Sequence, residues 1–264
     1  MLILNRFSQR VTLRHGARSV ISSIDKYKLA SDVDTTFAAL TDSENARLAT
    51  LSKKLLSDPI CEVSVAQSQA FLLPTVPFTD SFLDRIKWAY SGRSEGTNRL
   101  FKLTMERLEN RKLQEALGVG SSFNQQMFWM MLHAWVFHKR MIAFDDGAQE
   151  EDYFEALFRV IDQWLLVKEI PRHRLTMEIA NAQRHALGFC VALDVAIEKP
   201  DMLGGRVHET LWRSFHEGGI PKEDKRLIGL TKYTIRQASY ALNIPKDNFL
   251  QGKFIWIDFP VGRV

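Results

Sequence analysis

Only two cysteines, Cys61 and Cys190, occur in the 264 residues. That is too few for a disulfide framework, and no pair has the spacing of a zinc finger; both are expected as small buried apolar side chains. No apolar run reaches the roughly 20 residues that a bilayer span requires. The one glycine-rich stretch, Gly118-Val119-Gly120-Ser121-Ser122, lacks the later glycine and the lysine of a phosphate loop and reads as a turn followed by a helix cap. There is no His-Glu-x-x-His, no Ser–His–Asp order and no paired-carboxylate site. Internal repeats and low-complexity tracts are missing too. With no positive mark of catalysis, the chain is expected to be no enzyme and to carry no cofactor and no metal.

Charge of one sign is missing from the first 24 residues. They contain Arg6, Arg10, Arg14 and Arg18, hydroxyls at Ser8, Ser19, Ser22 and Ser23, and no Asp or Glu. On a helix, arginines at every fourth position make one slowly drifting stripe. An Arg-rich, Ser-rich, acid-free amphipathic start is the pattern of an organelle transit peptide. Residues 1–24 are therefore expected to target the mitochondrion, whether cleaved or retained; the alternative is an ordinary basic helix. The rest of the chain carries equal numbers of basic and acidic residues, 31 of each, so net charge gives no argument for nucleic-acid binding by the body.

What remains is helical patterning. Leu40, Leu48, Leu51 and Leu55 recur at helical spacing in 33–56. Prolines at 59, 74 and 77 then mark 57–78 as a linker. Thr79 or Asp80 can cap a helix stopped near Gly92, and Asn98 can cap the next, with Arg107, Arg111 and Lys112 outward and Gly118 at its end. Ser121 or Ser122 opens a central helix in which ten of the eleven residues from Met127 to Phe137 are apolar, His133 being the exception. Such a helix, apolar all round but half the length of a span, belongs at the middle of a bundle. Further stripes run from Tyr153 to Leu165, and from Pro171 to Ile197 before Pro200. Two more run through Val207, Leu211 and Phe215, and from Leu227 to Leu242. The aromatic tail from Phe249 to Phe259 reads as extended chain laid across a neighbour. The fold class is all-α, a single domain of seven or eight helices.

Five features could carry function. His133 is either a ligand or proton carrier, or a core histidine satisfied by neighbours. Trp212 and Arg213 offer a cation–π or ion-pair anchor, with Asp194 as a plausible carboxylate, or a grip on a partner's carboxylate. Two basic patches are dense: Arg172-His173-Arg174 beside Lys168, and Lys222, Lys225, Arg226, Lys232 and Arg236. They are solvated faces or docking points for ribosomal RNA or an anionic membrane surface. The Met and aromatic surplus near Met127 is core or an adaptable groove for a client helix. A catalytic reading would require His133, His185 or Asp194 to converge in a pocket.

Two segments carry a resemblance. One runs Leu132-His133-Ala134-Trp135-Val136-Phe137-His138-Lys139-Arg140-Met141; the other is Leu211-Trp212-Arg213-Ser214-Phe215. With the tail Leu250-Gln251-Gly252-Lys253-Phe254-Ile255-Trp256, they resemble the ubiquinol–cytochrome c chaperone family over roughly 78–257. The family's acidic stretch before Leu-Trp-Arg is reduced here to Asp194. The resemblance implies a mitochondrial, matrix-side assembly factor, peripheral to the inner membrane. It would hold cytochrome b with a small assembly partner in complex III biogenesis and contact the mitoribosome or the membrane. The alternative is a permanent accessory subunit of a respiratory complex, ATP synthase or mitoribosome, built on the same domain. On this reading residues 25–78 are an N-terminal extension and linker, and 79–264 the chaperone-like domain. The partner-binding candidates are His133, Trp135, Arg140, Trp212, Arg213, Lys225 and Arg226.

Overall fold

The computed structural model describes residues 40–61, 63–72, 94–144, 147–168, 170–216 and 219–259. Among them are ten helices and no strand: α1 (Asp42–Leu56), α2 (Val65–Ala70), α3 (Glu95–Glu109), α4 (Arg111–Ala116), α5 (Phe123–Phe144), α6 (Gly147–Val167), α7 (Arg172–Ile197), α8 (Leu203–His216), α9 (Lys225–Asn243) and α10 (Lys246–Leu250). The targeting segment 1–24 and the helix expected near 80–92 lie outside the described residues.

Local chemistry sets the element ends. Thr41 and Ser64 each form a capping box with the residue three places on, Glu44 and Gln67. Ser122 accepts the Gln125 amide at the start of α5. Gly118 adopts a left-handed φ of 72° just past α4, where a side chain would be strained. The expected cap Asn98 instead lies inside α3. Ser94 caps that helix, its Oγ accepting the Thr97 amide at 3.1 Å, and Asn110 caps α4.

The central position of α5 follows from its composition. With no glycine or proline from 123 to 144 and apolar side chains on every face, it must be surrounded, and α3, α6, α7, α8 and α9 pack around it. Trp129, Met130, Met131, Leu132, Trp135, Val136 and Phe137 are buried there. Each such side chain contributes about 1.5–3 kcal/mol on burial. The methionines of α5 are therefore core: Met127, Met130, Met131 and Met141 are all fully buried.

The tail is extended, as expected, only from Lys253; Phe249 and Leu250, expected in it, are the end of α10, and a turn follows them. Phe254, Trp256, Ile257 and Phe259 are buried. Trp256 stacks on Phe137 with ring centroids 4.7 Å apart. Arg107, expected outward, is buried instead: its guanidinium donates to the Ile257 carbonyl at 3.1 Å and lies 5.7 Å from the Trp256 ring. A basic residue faces inward here because the tail brings it a carbonyl and an indole face, neither visible in α3's own sequence. Leu242, expected inward on α9, is exposed.

The stretch 57–72, expected as linker, is docked wherever it is described. Cys61, Val63 and Ser68 are buried, and α2 packs on α9. Arg236 donates to the Ile60 carbonyl at 2.8 Å, and Asn243 to Val63 at 2.8 Å. α1 in turn lies on α8, where Gly205 lets the chains meet: a Cβ there would come 2.2 Å from the Leu48 carbonyl oxygen. The described part of the N-terminal extension is thus packed onto the helices that follow it.

Candidate functional site

The expected site residues fall at separate places, each built by its own helix. On α5, His133 is fully buried. Its Nδ1 lies 2.8 Å from the Trp129 carbonyl and its Nε2 2.7 Å from the Tyr233 hydroxyl. Because a carbonyl can only accept, Nδ1 bears the proton and Nε2 accepts from the tyrosine. Burial, with the nearby Arg107 charge, pushes the imidazole down to about 3, outweighing the Trp129 bond that favours the cation. A neutral ring with both nitrogens satisfied has no capacity left to ligate or relay. His185, invoked beside it for a catalytic pocket, is exposed on α7, and no group of three or more His, Cys, Asp or Glu suited to a metal occurs among the described residues.

Trp135 lies two residues on, on a different face of α5. Its indole N–H donates to Asp194 of α7 at 2.9 Å, and Lys139 donates to the same carboxylate oxygen at 3.0 Å. His138 Nε2 lies 3.9 Å from the other oxygen, and its Nδ1 2.8 Å from Glu150 of α6. Asp194 therefore ties α5 to α7 and is not the partner of Arg213. Arg140, at the last turn of α5, donates to the Ile244 carbonyl just past α9 and lies 4.1 Å from the Phe144 ring. Burial lowers its guanidinium pKa from the ordinary arginine value.

The Leu-Trp-Arg segment makes a second, polar cluster where α8 meets the α8–α9 connection. Glu209, one turn before Arg213, is buried yet ionised. It accepts from Arg213 Nε at 2.8 Å and from Lys222 Nζ at 2.6 Å. Burial alone would raise its pKa; the hydrogen bonds and charges of Lys222 and Arg213 outweigh this and hold it below the usual carboxylate range. Lys222 also sits 4.2 Å from the Trp212 ring, so the cation–π partner of this tryptophan is Lys222 and not Arg213. Trp212 Nε1 donates to the Ile220 carbonyl at 2.8 Å, and His208 Nε2 lies 2.8 Å from the Lys222 carbonyl. His208, Glu209 and Trp212 thus staple residues 220–222 to α8. Glu209 and Lys222 were absent from the expected anchor. The available signal was a lone acid four residues before an arginine, which is helical ion-pair spacing.

The basic cluster around α9 is largely engaged internally. Lys232 pairs with Asp58 at 2.7 Å, and Arg226 with Asp224, the α9 cap, at 3.1 Å. Lys225 and Arg226 remain at the surface beside the staple, and the Arg213 side chain is 46 % exposed. These three are the exposed ones among the site candidates; Arg140 and Trp212 are half-buried. His133, Trp135 and Trp212 hold the helices that present them.

Residues 115–256, a little over half of the chain, match a protein-family model described as Ubiquinol-cytochrome C chaperone. They run from the end of α4 through Trp256 and include both aromatic segments and most of the tail. No curated protein and no solved structure matches the chain.

Proposed function

This chain belongs to the ubiquinol–cytochrome c chaperone family, and from that premise we propose that it is a non-enzymatic mitochondrial assembly factor for complex III. It holds newly made cytochrome b, together with a small assembly partner, on the matrix side and peripheral to the inner membrane. The observation that carries the reading is the family match, which spans both tryptophan segments. The helices provide a rigid body: α5 is locked by Asp194 and Tyr233, and the α8–α9 connection by Glu209. Arg213, Lys225 and Arg226 supply contact with a partner. No helix among the described residues is long and apolar enough to cross a membrane; a peripheral position agrees with that.

A second reading is favoured by the docking of α1, which lies outside the matched residues yet packs onto α8. An addition built onto the family unit suits a permanent accessory subunit of a respiratory complex, ATP synthase or mitoribosome. Mild-detergent fractionation of mitochondria with quantitative mass spectrometry separates the two. Substoichiometric co-migration with cytochrome b precursors or ribosomes is the expected result. Constant one-to-one stoichiometry with a mature complex overturns it and names the complex.

A further inference from the structure

The corner between α6 and α7 breaks two local rules at once. Large apolar side chains are exposed on both sides of it: Val167 is 82 % and Leu166 54 % exposed at the end of α6, and Met177 52 % in the second turn of α7. The first turn of α7 carries Arg172, His173 and Arg174 and no acid, where the helix dipole disfavours cations; the N-cap, Pro171, supplies no side-chain bond. Lys168 completes the set, its ammonium 4.2 Å from the Phe123 ring. Among 163–177 the sequence has three Lys or Arg against one acid, Glu169. Nearby, Glu178 holds Arg174 at 3.1 Å, and Asp162 is half-buried beside Gln183.

We infer that this corner, where exposed Leu166, Val167 and Met177 alternate along the chain with Lys168, Arg172 and Arg174, docks the protein on an anionic phospholipid surface. The two features require one occupant that is apolar inside and negative outside. A bilayer interface takes aliphatic side chains below its headgroups and holds Lys and Arg at its phosphates. Nucleic acid would match the cations and leave the aliphatic tip in water. Three side chains and three cations give weak, reversible attachment, in which each cation counts for about fivefold in affinity. The inference rests on the peripheral membrane position in the assembly reading and names the surface that would provide it; it does not depend on cytochrome b being the client.

Because Cys61 and Cys190 are buried, a cysteine placed at the tip can be labelled selectively. Full-length Val167→Cys carrying an environment-sensitive fluorophore is mixed with phosphatidylcholine vesicles, with and without 30 mol% (a chosen composition, about that of an acidic membrane) anionic phospholipid. A blue shift with anionic vesicles only, reversed by salt, is expected, while the same label at Lys53→Cys on α1 stays unshifted. Flotation of the unlabelled protein should fall about fivefold or more with Arg172→Glu, or with Val167→Glu, without loss of helicity. The proposal fails if the tip label stays in water while the protein floats, since another segment then binds. Failure to float at all overturns it equally, as does RNA retention lost with Arg172→Glu but kept with Val167→Glu. Each of these readouts uses lipid alone, so loss of cytochrome b capture in the same variants tests the assembly reading separately.

Discussion

The two aromatic segments use the same residue types for opposite purposes. In α5 the tryptophan and histidine are fully enclosed, and every polar atom on them is matched within the core: Trp135 to Asp194, His133 to Trp129 and Tyr233. In α8 the tryptophan lies at the rim as a lid over Lys222, and the arginine reaches solvent from a buried glutamate. What differs is depth. In the core an imidazole is stripped of its proton, whereas at the rim a carboxylate keeps its charge because two cations can reach it. Aromatic-plus-cation patterning in a sequence therefore marks a fixed point of the fold without saying which kind.

The contrast is testable, beginning with the deepest residue. Trp135→Ala should cost about 4 kcal/mol, as expected for an emptied tryptophan site. Trp135→Phe, which keeps most of the volume but strands Asp194's share of the bond, should cost about 1–2 kcal/mol; denaturant unfolding measures both. At the rim, Lys222→Ala should cost about 3 kcal/mol because it leaves the buried Glu209 short of a cation, and Arg213→Ala about 1 kcal/mol because that partner is half in water. Equal losses for the two would show that Glu209 does not distinguish them.

The docking of α1 gives a smaller, sharper pair. Gly205→Ala must push the α1 backbone away and should cost about 2 kcal/mol. At Gly204 the nearest atom to a new Cβ lies 3.2 Å away, so Gly204→Ala should cost well under half as much. Hydrogen exchange of α1 amides should rise in the first variant and little in the second.

The smallest effect is acid sensitivity. His133 binds its proton only near pH 3 in the folded chain, against an ordinary value of about 6.5 when unfolded. Below about 6.5 the unfolded chain takes up a proton that the native chain refuses. The stabilisation is thus complete above that pH and declines as the pH falls towards 3. From pH 7.5 to 5.5 the loss from this group should be about 1 kcal/mol, or some 2–4 °C in Tm. A His133→Phe variant, less stable at neutral pH, should lack that part of the slope.

Much of the fold was legible because helices announce themselves locally. The period of Leu and Phe, Pro171 before α7, Ser122 before α5 and the glycine after α4 all lie within a few residues of what they determine. The enclosed position of α5 was also readable, since a helix with no polar face has no other place. Arg107 was misread because its partners, the Trp256 ring and the Ile257 carbonyl, lie about 150 positions away in the chain. Asp58 and Ile60 were read as linker because the cations that hold them, Lys232 and Arg236, are equally remote. Leu242 fits the α9 stripe by spacing yet is exposed, since periodicity fixes a face and not what covers it.

By itself the sequence determined the long helices and several of their ends, the all-α class, the burial of α5 and the membership that the two tryptophan segments signalled. Tertiary structure alone decided which cations are spent inside, that the tail closes on His133 through Trp256, and that the α6–α7 tip stays bare. The physical reason is range: propensity, capping and periodicity act over a few residues, whereas the state of a buried charge or an aromatic face is set by whatever distant segment packs against it.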